Sequence, residues 1–154
     1  MPNVIISDSI CPILLIKIEK LHILEELYGN VLITPDVSEE IGEPLPDWIK
    51  MQKARDLKYQ ALTAATLDIG ESSAIALASE YEAPLLMLDD LKARNFVKSL
   101  GVPYTGTVGV LLNARKNGII ENMGEIIALI ERTDFRLSKE LKDLALRLAG
   151  ERDV

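Results

Sequence analysis

Histidine and cysteine are nearly absent from this sequence, which contains one of each among its 154 residues, His22 and Cys11. A zinc site of the usual Cys/His type needs several such ligands, so one chain cannot build it. A single cysteine also excludes an internal disulfide. Ser-His-Asp catalysis would have to use His22, which lies in the helical pattern KIEKLHILEEL, and the sequence has no nucleophile elbow. The chemistry is therefore expected to come from other side chains.

Phosphate-binding glycine loops and long apolar segments are absent as well. Neither G-x-x-x-x-G-K-[ST] nor G-x-G-x-x-G occurs. The longest apolar run, residues 10–16, contains a proline and is too short to span a bilayer. We therefore expect no signal peptide, no contact with a membrane and a soluble, cytoplasmic protein.

Carboxylates are what the chain has in excess. It contains 24 Asp and Glu against 17 Lys and Arg, which gives a net charge of −7. That charge argues against non-specific binding to nucleic acid or to an anionic membrane, although it leaves room for a local basic groove. The length and the 48% hydrophobic content predict one globular domain over residues 1–154.

Short apolar segments alternate with helical patterns along the chain. Strands are predicted at 3–7, 31–34, 84–88 and 102–106. Helices are predicted at 12–28, after Pro35, from about Gly70 to Glu82, and at 90–101, 107–118, 122–132 and 138–151. Residues 48–66 are ambiguous, since WIKM fits a strand and DLKYQALTAAT fits a helix. Short strands that are apolar on both faces and separated by helices predict an open α/β sandwich with a parallel sheet.

Acidic residues directly follow two of the predicted strands. Asp8 ends NVIISD, and the pair Asp89–Asp90 ends PLLMLDD. Ligands bind beyond the carboxyl ends of the strands in such sheets, so these aspartates are expected to converge there. Helix capping is the simpler explanation for each aspartate alone, since Asp is a preferred N-cap residue. One cap needs one carboxylate, however, and this pair supplies two.

Four further carboxylates fit either a structural or a chemical role. Asp68 and Glu71 have the spacing of a capping box, and Glu39 and Glu40 fit a solvated helix face. Carboxylates about 4 Å apart repel by roughly 4 kcal/mol at an effective dielectric constant of about 20, so a cluster binds protons or a cation. Mg²⁺ and Mn²⁺ prefer such oxygen ligands, and they activate water without histidine. Taken together, the carboxylates favour a divalent-metal site.

Two other classes of acidic α/β phosphohydrolase do not fit the spacing. A haloacid-dehalogenase-like phosphatase needs D-x-D after its first strand, whereas Ile10 occupies the second position after Asp8. A response-regulator receiver has its acidic pair near the first strand and a single aspartate later, which is the reverse of the order here.

The order of the acidic segments resembles that of the PIN-domain family. The strand ending in Asp8 is followed by VSEEI with Glu40, GESSAIALA with Glu71 and LMLDDLKAR with Asp90. More narrowly, this order is similar to a PIN-like subfamily long catalogued as a domain of unknown function. The likeness continues through PDWIK, TGTVGVLLNARKNGII and FRLSKEL, so it covers nearly the whole chain.

This resemblance implies a three-layer α/β/α sandwich with a short parallel sheet of four or five strands. It also implies an Mg²⁺- or Mn²⁺-dependent ribonuclease, often the toxin of a toxin–antitoxin pair, that hydrolyses RNA phosphodiesters with a metal-activated water. Asp8, Glu40, Glu71 and Asp90 fill the family's four acidic positions, which bind the metal and carry catalysis. Asp89 either takes the place of Asp90 as a metal ligand or lies just outside the ligands and helps to hold them. Glu39 is a weaker alternative to Glu40, because neighbouring helical residues point in different directions.

One departure from the family suggests a rival function. Relatives usually read D-T-S-P after the first strand, and the serine helps hold the site; this chain reads DSICP and has Ile10 in that place. Isoleucine cannot form the hydrogen bond that serine forms. The alternative is therefore a catalytically impaired PIN-like protein that binds RNA or another protein. A nuclease acting on DNA flaps is disfavoured, since the chain lacks the long additional elements of such enzymes.

Basic residues beside the paired aspartates are candidates for binding RNA. They are Lys92, Arg94 and Lys98 on the following predicted helix, with Arg115 and Lys116 as a second choice. For any one of them alone a solvated helix face is the favoured explanation, and Lys92 and Arg94 gain weight only because they adjoin the carboxylates.

Two further expectations concern helix capping and association. Thr105 and Thr107 are expected to cap the helix that follows them. A homodimer is expected because GVLLNARKNG and the C-terminal helices carry apolar stripes, although core packing gives the same pattern. An antitoxin protein is the other partner that the resemblance implies.

Overall fold

A five-stranded, wholly parallel sheet forms the centre of the fold in the computed structural model, which describes residues 4–151. The strands are β1 (Val4–Ser7), β2 (Val31–Ile33), β3 (Ile49–Met51), β4 (Pro84–Met87) and β5 (Tyr104–Thr105). Their order across the sheet is β3-β2-β1-β4-β5. All the strands therefore end at the same edge, with β1 in the middle.

Nine helices of the described residues cover the two faces of this sheet. They are α1 (Ile10–Lys17), α2 (His22–Tyr28), α3 (Pro35–Ile41), α4 (Leu57–Thr63), α5 (Ile69–Ala78), α6 (Leu91–Ser99), α7 (Thr107–Lys116), α8 (Met123–Glu131) and α9 (Lys139–Leu148). None of these helices is long and apolar enough to cross a membrane.

Alternation along the strands divides the core between the two faces. Ile5 and Met87 belong to the cluster formed with α1, α2, α7 and α8, whereas Ile6 and Leu86 belong to the cluster formed with α5 and α6. Successive side chains of a strand point to opposite faces, so apolar residues at adjacent positions require a layer of helices on each side. The predicted three-layer α/β sandwich is confirmed.

The helix predicted at 12–28 is two helices in the structure. They are separated at Glu19, whose φ of 59° lies in the left-handed region. The prediction was wrong because the apolar spacing continues through the break, where Ile18 is buried and Leu21 packs against the core. A hydrophobic pattern reports which residues are buried and does not report the backbone angle between them.

The remaining boundaries differ from the prediction by a few residues. The ambiguous stretch 48–66 contains both a strand and a helix, β3 and α4, and the predicted helix 70–82 ends at Ala78. The first strand begins at Val4, and the predicted position 3 lies outside the described residues.

Candidate metal centre

Asp8 leaves the end of β1 and is buried at the carboxyl edge of the sheet. Its backbone N–H donates to Met87 O at 3.0 Å, which fixes it beside the end of β4. Only 4% of the residue is exposed, and no donor within residues 4–151 reaches Oδ1. A buried carboxylate oxygen without a partner is unfavourable unless the group is protonated or binds a cation.

The pKa of Asp8 is raised to about 7, chiefly because burial disfavours the charged carboxylate. The backbone N–H of Ser9 partly opposes this shift, and the charges of Asp68, Glu71 and Glu40 add to it. These charge effects show that acidic side chains from the end of β1, from α3 and from the start of α5 influence one another electrostatically.

Glu71 lies in the first turn of α5 and has the same kind of environment. Its pKa is raised to about 7, chiefly by burial, with the negative charges of Asp68, Asp90 and Glu40 adding to the shift and the hydrogen bond from the Asp68 N–H opposing it. Asp68 is the N-cap of α5: its Oδ1 accepts from the Glu71 N–H at 2.8 Å, while Glu71 Oε1 accepts from the Asp68 N–H at 3.3 Å. The capping box suggested by the spacing is therefore present. Asp68 also belongs to the acidic group, a role that its D-x-x-E spacing alone did not reveal.

Glu40 reaches this region from α3, the helix that Pro35 begins and Thr34 caps. A Cβ atom placed on Gly70 would lie 2.3 Å from Glu40 Oε1, so the Glu40 carboxylate occupies the space that glycine leaves at the start of α5. The hydroxyl groups of Thr34 and Ser73 are 2.6 Å apart in a buried hydrogen bond, which joins α3 to α5.

The paired aspartates divide their hydrogen bonds between two helices. Asp90 is the N-cap of α6, and its Oδ2 accepts from the Ala93 N–H at 3.0 Å. Asp89 accepts from Thr107 at the start of α7, through the N–H at 2.9 Å and the hydroxyl at 2.6 Å. The inference that a pair of carboxylates exceeds the needs of capping was therefore wrong, because two helices begin here.

The predicted capping of α7 by Thr105 or Thr107 was also wrong. The N-cap is Gly106, which has no side chain to accept the bond. Asp89 supplies the acceptor from the neighbouring loop, and the hydroxyl of Thr107 acts as a donor to it.

The candidate basic residues lie at different distances from the carboxylates. Lys92 is exposed in the first turn of α6, next to Asp90. Arg94 is half-buried, donates from Nε to Leu88 O at 2.8 Å and lies over the Tyr104 ring at 5.5 Å. Part of its donor capacity is therefore committed to the protein. Lys98 lies in the last turn of the same helix.

Arg115 and Lys116 lie at the far end of α7, which begins beside Asp89. A ten-residue helix is about 15 Å long, so the structure does not bring these residues to the acidic group. Arg115 instead pairs with Glu151 at 3.4 Å, and Glu151 accepts from the first N–H groups of α8.

Ile10 is half-buried at the first position of α1, two residues after Asp8. The N-cap of this helix, Ser9, makes no side-chain capping bond. The second position after Asp8 therefore carries no hydroxyl group, and the hydroxyl of Ser9 directly after Asp8 does not cap the helix.

The donor set fits a hard divalent cation. The charges of Asp68, Glu71 and Glu40 act on Asp8, whose Oδ1 has no hydrogen-bond partner, and carboxylate oxygens are the ligands that such a cation prefers. Within the described part of the chain, however, no three His, Cys, Asp or Glu side chains are close enough together to hold an ion as they stand. A bound cation would therefore require the acidic side chains to move closer together, against the repulsion that raises the pKa of Glu71.

A separate cavity of about 940 Å³ lies at the other edge of the sheet. Val4 and Leu85, at the beginnings of β1 and β4, line it together with Tyr28. It contains none of the carboxylates described above.

Comparison with known families gives one match. The family model named DUF3368 and described as a PIN domain matches residues 4–151. No curated protein and no solved structure gives a significant match.

Proposed function

The chain belongs to the PIN-domain family, and we propose that it is an Mg²⁺- or Mn²⁺-dependent endoribonuclease. The proposal is supported by the parallel sheet, because Asp8 and Asp90 follow the carboxyl ends of its strands, the edge at which such α/β proteins bind ligands. The observation that carries the proposal is the buried carboxylate of Asp8, which has an unpartnered oxygen and acidic neighbours. Such a buried carboxylate is unfavourable unless a proton or a cation neutralises it, and a bound cation is the neutralisation that we propose.

In this proposal Asp8, Glu71 and Asp90 are the main metal ligands, and Glu40 completes the site directly or through water. Asp90 can cap α6 and bind a cation at once, since a carboxylate has two oxygens and about four lone-pair positions. When bound, the metal supplies an activated water and stabilises the charge that develops on the phosphate.

The rest of the chain positions these groups. The capping box holds Glu71 at the start of α5, and the Thr34–Ser73 bond holds α3, and with it Glu40, against α5. Because Asp8 is buried, most of its side chain is shielded from water. Lys92 is the base best placed to contact a substrate phosphate, with Arg94 as a second contact through the donors it has left.

Association and context belong to the same proposal. We propose that the protein is cytoplasmic, forms a homodimer, and is the toxin of a pair whose antitoxin covers the acidic edge. The RNA substrate is expected at this edge, where Lys92 is the exposed base, and Lys98, Arg115 and Lys116 lie farther from the carboxylates.

Two specific observations favour a second function, a non-catalytic PIN-like module that binds RNA or protein. Ile10 provides no hydrogen bond beside Asp8, and Arg94 is partly committed to Leu88 and Tyr104. In that case the acidic group would bind a basic partner and would not support hydrolysis.

The test measures metal binding and RNA cleavage on the same samples. Calorimetry with Mn²⁺ and Mg²⁺ would compare wild type, Asp8→Asn/Asp90→Asn and the control Glu39→Gln, which removes a neighbouring exposed carboxylate. We expect binding and metal-dependent cleavage of a mixed RNA pool in wild type and control, and neither in the double variant. Binding without cleavage would favour the module, and no carboxylate-dependent binding would refute the metal centre.

A further inference from the structure

Helix α9 presents apolar side chains on both of its sides. Its inner face packs against the core through Ala145, which is buried, and through Leu146. On the opposite face Leu141, Leu144 and Leu148 are 37%, 42% and 64% exposed. Their spacing of three and then four residues places them in one stripe along the helix, the pattern of a helix–helix seam.

This exposed stripe distinguishes α9 from the other helix whose sequence suggested an interface. The apolar residues Val110, Leu111 and Ala114 of α7 are all buried in the core, which fully explains them. The leucines of α9 have no such explanation within residues 4–151. Apolar side chains that are exposed in a row are typical of an interaction surface.

Charges beside the stripe define which partner fits it. Glu140 and Arg147 are both exposed, and because they are two helical turns apart they lie on the same side of the leucines. If a second α9 runs antiparallel with Leu144 near the twofold axis, Glu140 of each copy lies opposite Arg147 of the other. A parallel pair would instead set like charges at the same level. The face is therefore complementary to itself in the antiparallel direction.

A recess next to the stripe fits the same geometry. A cavity of about 330 Å³ lies between α7 and α9, with Leu112, Leu148 and Ala149 as its apolar lining and Asn113, Arg115 and Lys116 as its polar lining. An apolar side chain from the second helix can insert there in the manner of a knob into a hole.

We propose that two copies of this chain associate through the exposed face of α9, with the two helices antiparallel and Leu144 near the twofold axis. The observations that carry it are the exposed leucine stripe and the opposite charges at its two ends. The proposal specifies the surface of the homodimer and does not depend on the metal centre or on nuclease activity.

The first experiment is sedimentation of the full chain over roughly a hundredfold range of concentration, because dimerisation follows mass action. Wild type is expected to dimerise, and Leu144→Glu and Leu148→Glu are expected to be monomeric, since each buries a charge in the apolar seam. The control Leu62→Glu changes a leucine of α4 that is 74% exposed, and it should dimerise like wild type. Circular dichroism and thermal melting establish that each variant is folded, and metal binding should be unchanged in all of them.

Charge reversal tests the antiparallel direction. Glu140→Arg and Arg147→Glu should each weaken dimerisation by roughly two- to thirty-fold at low salt, because each sets two like-charged pairs across the interface. The double variant Glu140→Arg/Arg147→Glu should restore wild-type association, since both pairs are again opposite in sign. The differences should shrink in high salt.

Three results would overturn the proposal. They are a wild-type protein that stays monomeric, folded glutamate variants that dimerise normally, and a double reversal that fails to rescue. Loss of RNA cleavage with intact dimerisation would count against the proposed nuclease and leave this interface unaffected.

Discussion

The buried carboxylate of Asp8 should make the metal-free protein less stable as the pH rises. Its pKa is about 7 in the folded protein against an ordinary value of 3.8, so between these values the folded state binds a proton that the unfolded state has lost. Stability from this group is fully present below about pH 4 and decreases until the pH passes the folded pKa near 7. The direction is opposite to that of an aspartate in a salt bridge.

The magnitude follows from the shift. A difference of about 3 pKa units at about 1.4 kcal/mol per unit corresponds to up to about 4 kcal/mol of unfolding free energy. Asp8→Asn removes the ionisation but keeps the size of the side chain. The difference in unfolding free energy between variant and wild type should therefore grow by up to this amount between about pH 4 and about pH 8. Any constant effect of asparagine cancels in that difference.

Urea denaturation followed by circular dichroism, in chelator and at a series of pH values, measures it. Glu71 also has a raised pKa and contributes a slope of the same sign in both proteins, and its coupling to Asp8 is counted within the difference between them. Adding Mn²⁺ near pH 8 should stabilise wild type and leave Asp8→Asn unchanged, because a ligand that binds only the folded state stabilises it. If the difference in unfolding free energy between Asp8→Asn and wild type stays constant with pH, ionisation of Asp8 does not destabilise the folded protein and the reasoning fails.

Two further substitutions separate positioning from metal binding. Gly70→Ala should weaken Mn²⁺ binding, because its Cβ would displace the Glu40 carboxylate, yet the fold should be as stable or up to about 1 kcal/mol more stable, since alanine is the better helix former; unchanged calorimetric affinity would place Glu40 outside the site. Asp89→Asn should lower the unfolding free energy by about 1 kcal/mol, because it weakens the bonds to Thr107, and should leave Mn²⁺ affinity nearly unchanged. Asp90→Asn should instead lower Mn²⁺ affinity and leave the unfolding free energy nearly unchanged. A loss of metal affinity in Asp89→Asn equal to that in Asp90→Asn would make Asp89 a ligand.

The sequence by itself determined the layered fold and the edge of the sheet that carries the acidic residues. Runs such as VIIS and PLLM carry apolar residues at adjacent positions, so they need helices on both sides, and parallel strands must end at one edge. The aspartates that follow these strands are placed by that topology, because they are adjacent to the strands in the chain. The absence of a hydroxyl group at Ile10 could be read from the sequence for the same reason, because Ile10 lies two residues after Asp8.

Only the tertiary structure decided what each carboxylate contacts. The bonds of Asp89 to Thr107 and the position of Glu40 beside Gly70 join elements that are distant in the sequence, and local spacing contains no record of them. The spacing of Asp68 predicted its cap but could not show that its charge acts on Asp8, which comes from another element. Likewise α7 and α9 carry similar apolar stripes, and packing buries the one and leaves three leucines of the other exposed. Hydrophobic periodicity selects the residues that can be buried, whereas the arrangement of the neighbouring elements decides which of them are.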